Sequence, residues 1–322
     1  LYTRPGESAK GRGGSVMAYP KKVSIVEVGP RDGFQSIKPW IETSDKIEVN
    51  RRLMDAGLSL VEFTSFISPK AIPQMKDAAE ITEALLEQPG SVGCLYALVG
   101  NKKGADRAVN AGVKNITMVI SASPDHNKNN VNKSPAESLE ELRLTLEAYP
   151  GLHIKLDLAT AFGCPFRGEI TMGEITFVLD AAVELGIDDI CLCDTIGVAM
   201  PKQVDRIVRT LKDRYTSKNI QWSLHLHNTR GMAMSNTIVA MEAGIDRFET
   251  AVGGLGGCPF APGASGNMAT EDLVYFLNEM GIESGVDLSK VIETSEYIAK
   301  KIGCCCDSKI NAVTVNKVFQ RK

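Results

Sequence analysis

The 322-residue chain is 43% hydrophobic and 23% charged, the balance of an ordinary globular protein. A formal net charge of −3 gives no electrostatic ground for a nucleic acid or an anionic membrane as partner. No apolar run approaches the roughly 18 residues of a spanning helix, and none follows the early basic residues as a secretory signal would.

The chain opens on "LYTRPGESAKGRGGSV", rich in Gly, Ser and charge and without apolar period. Residues 1–19 are expected to be a disordered tail or an expression remnant, with Met17 a natural start; a degraded transit peptide is the alternative. From residue 23 a short apolar or β-branched run, a loop and a helical stretch recur. The runs are "VSIVEVG" (23–29), "SLVEFTSF" (59–66), "VGCLYALVG" (92–100) and "NITMVISAS" (115–123). They continue as "IKLDLATAF" (154–162), "DDICLCDTIG" (188–197), "QWSLHLHNT" (221–229) and "RFETAVGGLG" (247–256). Between them lie helical stretches such as "TSDKIEVNRRLMDAGL" and "TMGEITFVLDAAVELG", with Ser44 and Ser134 expected as N-caps and Gly57 and Gly186 at helix ends. The segment "HNKNNVNKS" (126–134) reads as a polar loop.

Eight β-then-α units predict an α/β fold, a (β/α)₈ TIM barrel over 20–284, with a helical C-terminal extension, 285–322, packed on it. An open doubly wound sheet is the alternative, but "GPRDGFQ" after the first run lacks the glycine fingerprint that would favour it. Eight cysteines are spread through the chain without paired C-x-x-C spacing. They predict free thiols in a reducing, cytoplasmic compartment.

In such a barrel chemistry sits at the C-terminal ends of the strands. Arg31 and Asp32 follow strand 1, Glu62 lies in strand 2, and Asp194 closes strand 6. His225 and His227 close strand 7, while Cys258 and Asn267 lie in the glycine-rich segment after strand 8. Each has a plainer reading. "RDG" is commonly a turn, Glu62 can be half of a structural ion pair with Arg31, and Asp194 can cap the next helix. His225 and His227, two apart on a strand, share one face, with Leu224 and Leu226 on the other. Two imidazoles at the catalytic end of a barrel are better explained as metal ligands than as core residues. Asp32 and Asn267 can add oxygen donors there. That mixed set suits octahedral Mg²⁺ or Mn²⁺ better than closed tetrahedral zinc. "VGGLGGCPFAPGASGN" (252–267) reads as a mobile lid that places a thiol over the site.

"VGPRDGFQ", "VEFTSFISPKAIPQM", "FGCPFRGEI", "CDTIGVAMP", "HLHNTRG" and "GGLGGCPFAPGASGNMATEDLVY" together resemble the 3-hydroxy-3-methylglutaryl-CoA lyase family of metal-dependent barrel enzymes. The resemblance runs from about residue 20 to residue 300. It implies that Asp32, His225, His227 and Asn267 bind a divalent cation, that Arg31 stabilises a thioester enolate, and that Cys258 transfers a proton. Glu62 and Asp194 would be supporting carboxylates. It further implies an acyl-CoA substrate, split into acetoacetate and acetyl-CoA, and a homo-oligomer, dimer or tetramer, is expected. The chain departs from the pattern at Phe34, Gln35, Ser36 and Ile37, at Cys193 before Asp194, and at Asn228 after the second histidine. These departures put the acyl part of the substrate in question, with citramalyl-CoA a rival. A condensing synthase is the runner-up enzyme, and a barrel scaffold without activity the reading from another class.

Overall fold

The computed structural model describes residues 19–88, 95–256, 266–304 and 306–315. Eight parallel strands close into a barrel in sequence order. They are β1 (Ser24–Glu27), β2 (Leu60–Ser65), β3 (Leu95–Val99) and β4 (Asn115–Ser121), then β5 (His153–Ala159), β6 (Asp189–Asp194), β7 (Gln221–Leu226) and β8 (Arg247–Thr250). β8 pairs with β1, Phe248 opposite Ile25 and Thr250 opposite Glu27, so the open-sheet alternative is excluded. The strands are buried on both sides because helices cover the outer face and side chains fill the inner one, as parallel sheets require.

The outer ring comprises α1 (Thr43–Asp55), α2 (Ala78–Leu86), α3 (Lys102–Asn110), α4 (Pro124–Val131), α5 (Pro135–Ala148), α6 (Met172–Glu184), α7 (Pro201–Arg214), α8 (Ala233–Glu242) and α9 (Thr270–Glu279). Ser134 caps α5 as expected, in a reciprocal box with Glu137, and Thr171 forms the same box with Glu174 on α6. Gly57 and Gly186 follow α1 and α6 at φ +93, the left-handed conformation that ends a helix at least cost in glycine. Ser44 is not an N-cap. Helix α1 begins two residues earlier than a Ser44 cap would place it, after Glu42, where Thr43 Oγ1 and Lys46 Nζ both bind the Asp77 carboxylate and fix the first turn. The segment read as a polar loop after strand 4 is largely helix α4. Ser123 caps it and Pro124 opens it, a start signal one step upstream of the stretch read as loop.

Beyond the barrel, α10 (Leu288–Ile302) packs on α1 and α9, and α11 (Lys309–Val315) rests on α9. Asp287 caps α10, and Tyr297 Oη donates to Asp45 Oδ1 at 2.7 Å, tying the tail to the first helix. Among the described residues no helix is long and apolar enough to cross a membrane.

Candidate active site

Strand β1 ends earlier than its apolar run suggests, and the chain turns through a tight π-type turn at Gly29–Gly33. That turn delivers Arg31 and Asp32 to the C-terminal mouth of the barrel. Arg31 is 7% exposed; its Nε donates to Glu62 Oε2 at 2.5 Å and its Nη1 to Asp32 Oδ1 at 2.7 Å. Glu62 is therefore the buried ion-pair partner that the plainer reading foresaw, and the pair also fixes the guanidinium at the mouth.

Two strands round the barrel from β1, with β8 between, His225 on β7 and His227 just past its end stand with ring centroids 4.9 Å apart. The chain returning after β8 runs beside the end of β7, with Asn228 N donating to Gly266 O at 2.6 Å and Met268 N to Leu226 O at 3.3 Å. This places Asn267 against Asp32: its Nδ2 donates to Asp32 Oδ2 at 2.7 Å and to Leu255 O at 2.9 Å. Gln35 Nε2 donates to Asp32 Oδ1 at 2.7 Å. The approach is close enough to need glycine at position 256, where a Cβ would lie 2.4 Å from Asn267 Nδ2 and φ is +108.

One donor atom from each of Asp32, His225 and His227 falls within 4.8 Å of the others. Two buried atoms of this group, His227 Nδ1 and Asn267 Oδ1, have no hydrogen-bond partner. Buried polar atoms are nearly always satisfied, so such orphans ask for a ligand. Two imidazoles, a carboxylate and an amide oxygen fit a divalent cation in kind as well as in place.

The electrostatics agree with that use. Burial would raise the Asp32 pKa, but Arg31, the two imidazoles and the Asn267 amide outweigh it and hold the group below the usual carboxylate range. Burial, with His225 beside it, pushes His227 down to about 3, leaving a neutral imidazole with a free lone pair. For His225 burial acts downward too, but the Glu249 carboxylate against its ring raises it overall. Asp194 takes neither a ligand position nor the helix-cap position suggested for it. Its carboxylate accepts from Val198 N at 2.9 Å and Ala199 N at 3.0 Å, fixing the turn ahead of α7, and burial pushes it up to about 6. Cys258 lies outside the described residues.

Sequence reasoning missed three buried charged residues beneath the mouth: Lys155 and Asp157 on β5 and Glu249 on β8. Lys155 bridges Glu249 and Asp157, at 3.1 Å from Asp157 Oδ1, and Glu249 Oε2 meets His225 Nδ1 at 2.9 Å. The signal was present in "IKLDLATAF", where two charges stand two apart on one strand face, as the histidines do in "SLHLHNTRG".

Oxygen and imidazole donors converging beside a buried arginine, at the catalytic end of a (β/α)₈ barrel, are the arrangement expected of a metal-dependent barrel enzyme. The chain belongs to the HMGL-like family, whose model matches residues 22–298. It is 41% identical over 297 residues to hydroxymethylglutaryl-CoA lyase YngG of Bacillus subtilis, covering 89% of this chain and 95% of that one. It is 38% identical over 291 residues to (R)-citramalyl-CoA lyase of Chloroflexus aurantiacus, covering 87% and 91%. Its fold matches a crystal structure of HMG-CoA lyase from Bacillus subtilis with a TM-score of 0.88 at 40% identity, covering 92% of this chain and 99% of that one. The resemblance read from the sequence is borne out, and the chain is a carbon–carbon lyase of this family.

Proposed function

We propose that this enzyme cleaves 3-hydroxy-3-methylglutaryl-CoA to acetoacetate and acetyl-CoA. The observation that carries the reading is the convergence of Asp32, His225, His227 and Asn267 next to Arg31, with two of their buried atoms left free for a ligand. In a retro-Claisen cleavage the tertiary hydroxyl loses its proton, the C–C bond breaks, and the electron pair moves into the thioester as an enolate. A divalent cation held by those four residues, Mg²⁺ or Mn²⁺, supplies Lewis acidity toward the hydroxyl and a template for the distal carboxylate. Asp32, kept ionised by Arg31, is a candidate to take the hydroxyl proton, beside a water on the cation. Arg31 donates to the oxygen where negative charge develops, and its pairing with Glu62 keeps it oriented before substrate arrives. Cys258 returns a proton to the carbanion carbon. Asp194 acts at one remove, by shaping the turn after β6.

Among the described residues Cys164, Cys191 and Cys193 are buried free thiols, which fits a reducing, cytoplasmic setting. A second reading, citramalyl-CoA cleavage, is favoured by the Chloroflexus relative. The deciding experiment offers the purified protein 3-hydroxy-3-methylglutaryl-CoA and both citramalyl-CoA epimers with Mg²⁺ or Mn²⁺ and follows acetyl-CoA by chromatography. A kcat/KM for the methylglutaryl ester at least tenfold above the others is expected. Preference for a citramalyl ester would transfer the assignment, and no acetyl-CoA from any of them would overturn it.

A further inference from the structure

We propose that Glu249 is a positioning residue: it fixes the tautomer and orientation of His225 for cation binding, and Lys155 holds it in place to do so. This rests on the reading of Asp32, His225, His227 and Asn267 as the cation's ligands. Glu249 is 1% exposed, and each of its oxygens has a separate partner. Oε2 lies 2.9 Å from His225 Nδ1, and Oε1 takes the Lys155 ammonium. A carboxylate accepts, so the proton of a neutral His225 sits on Nδ1 and the Nε2 lone pair is left for a cation. Strands β7 and β8 are neighbours with His225 opposite Glu249, so the contact is built into the barrel's register rather than into a loop.

The Lys155 arm makes the arrangement directional. An ammonium only donates, so it selects an acceptor on its side of residue 249. In Glu249→Gln the amide oxygen must therefore face Lys155, and the NH₂ group is turned onto His225 Nδ1. His225 Nδ1 then has to accept, the ring proton moves to Nε2, and the lone pair the cation needs is lost. The isosteric substitution is thus expected to invert the tautomer, not merely to loosen the ring. Removing the ammonium as well, in Lys155→Met with Glu249→Gln, frees the amide to rotate. Its oxygen can then accept from Nδ1–H, with the Asp157 carboxyl on the Lys155 side to receive the NH₂.

Two readouts test this. The first is ¹⁵N NMR of metal-free protein with labelled histidine, at a pH high enough that His225 is neutral in every variant; the chain has four histidines, and the His225 signals are assigned by their loss in His225→Gln. The parent should show Nδ1–H, Glu249→Gln should show Nε2–H, and the double variant should return to Nδ1–H. The second is Mn²⁺ affinity by electron paramagnetic resonance. Binding should weaken roughly 10- to 100-fold in Glu249→Gln, the usual cost of losing a ligand's outer partner, and recover most of that in the double variant. Both variants lack the carboxylate, but the double variant also lacks the Lys155 charge, which by itself strengthens cation binding, so the return of the Nδ1–H tautomer, and not Mn²⁺ affinity alone, separates positioning from charge. An unchanged tautomer and parent-like Mn²⁺ affinity in Glu249→Gln would overturn the inference, as would a double variant no better than the single. A parent that binds no Mn²⁺ would instead overturn the ligand assignment beneath it.

Discussion

Replacing Arg31 with methionine removes both its charge-assisted donors while keeping a side chain of similar reach. Asp32 would retain Gln35 and Asn267 as partners, so its loss is partial. Glu62 would not be so placed: it is fully buried, its Oε1 already has no partner, and its Oε2 would lose the 2.5 Å bond to Arg31 Nε. Breaking a buried pair by removing one member costs about 3–5 kcal/mol, because the remaining charge stays dry and unpaired. An exposed pair such as Arg143 with Glu140 contributes far less, because water and salt screen it. Adding Glu62→Gln should then recover about 2–3 kcal/mol, since the two sites touch and cannot be additive. Urea unfolding in chelator, followed by two probes to check for coincident transitions, measures this. Activity should not follow stability. If Arg31 acts on the developing enolate, kcat falls at least about a hundredfold in both the single and the double variant. A single variant less than about 1 kcal/mol below the parent would refute the buried-anion argument. A double variant with near-parental kcat would remove Arg31 from the chemistry.

Chelation should abolish turnover, with Mg²⁺ or Mn²⁺ restoring it. His225→Ala should lose Mn²⁺ binding yet keep the parent's circular dichroism, because the strand's other face is core; full activity in metal-free protein would end the cation assignment. Cys258→Ser should keep Mn²⁺ and substrate binding, lose most turnover and resist thiol alkylation; parent-like kcat would leave Cys258 without a role in proton transfer. Burial pushes Glu27 from the ordinary carboxylate range up to about 8, so the folded state holds its proton where the unfolded state has released it. The stability this confers is complete below about pH 4.5 and is lost as pH rises through about 8. The stability difference between parent and Glu27→Gln should fall by a few kcal/mol over that range in urea titrations, and a flat difference would contradict it.

The barrel was legible because strand and helix periods alternate eight times, and a parallel barrel leaves few other ways to bury that many apolar runs. The candidate ligands were legible for a similar reason. His225 and His227 share a face by strand geometry alone, and closure brings Asp32 and Asn267 round to them. What stayed hidden depends on contacts that cross the barrel. "IKLDLATAF" shows that Lys155 and Asp157 share a face, but the meeting of Lys155 with Glu249, 94 residues later, follows from strand stagger that no local pattern encodes. The start of α1 was misread for the same reason, since Asp77, far along the chain, overrides the capping preference of Ser44.

The hidden residues bear on the proposed pairing of a cation with a substrate carboxylate. The contacting network under the mouth holds two cationic heads, Arg31 and Lys155, against the carboxylates of Asp32, Glu62 and Glu249. Asp157 adds little negative charge near neutral pH, because burial and then Glu249 push its pKa up to about 8. With both histidines neutral, as ligands must be, the network carries one net negative charge in a region where unbalanced charge is costly. A divalent cation alone would reverse that sign. A divalent cation together with one substrate carboxylate brings the network to neutrality. The proposed substrate offers that carboxylate at the end of its acyl chain, so cation and substrate should each tighten the other's binding. Lys155→Met would leave the network one charge more negative, strengthening its hold on a cation while weakening the carboxylate's. On this proposal it is the buried lysine, paired with Glu249 and Asp157, that would match the interior to an anionic acyl group.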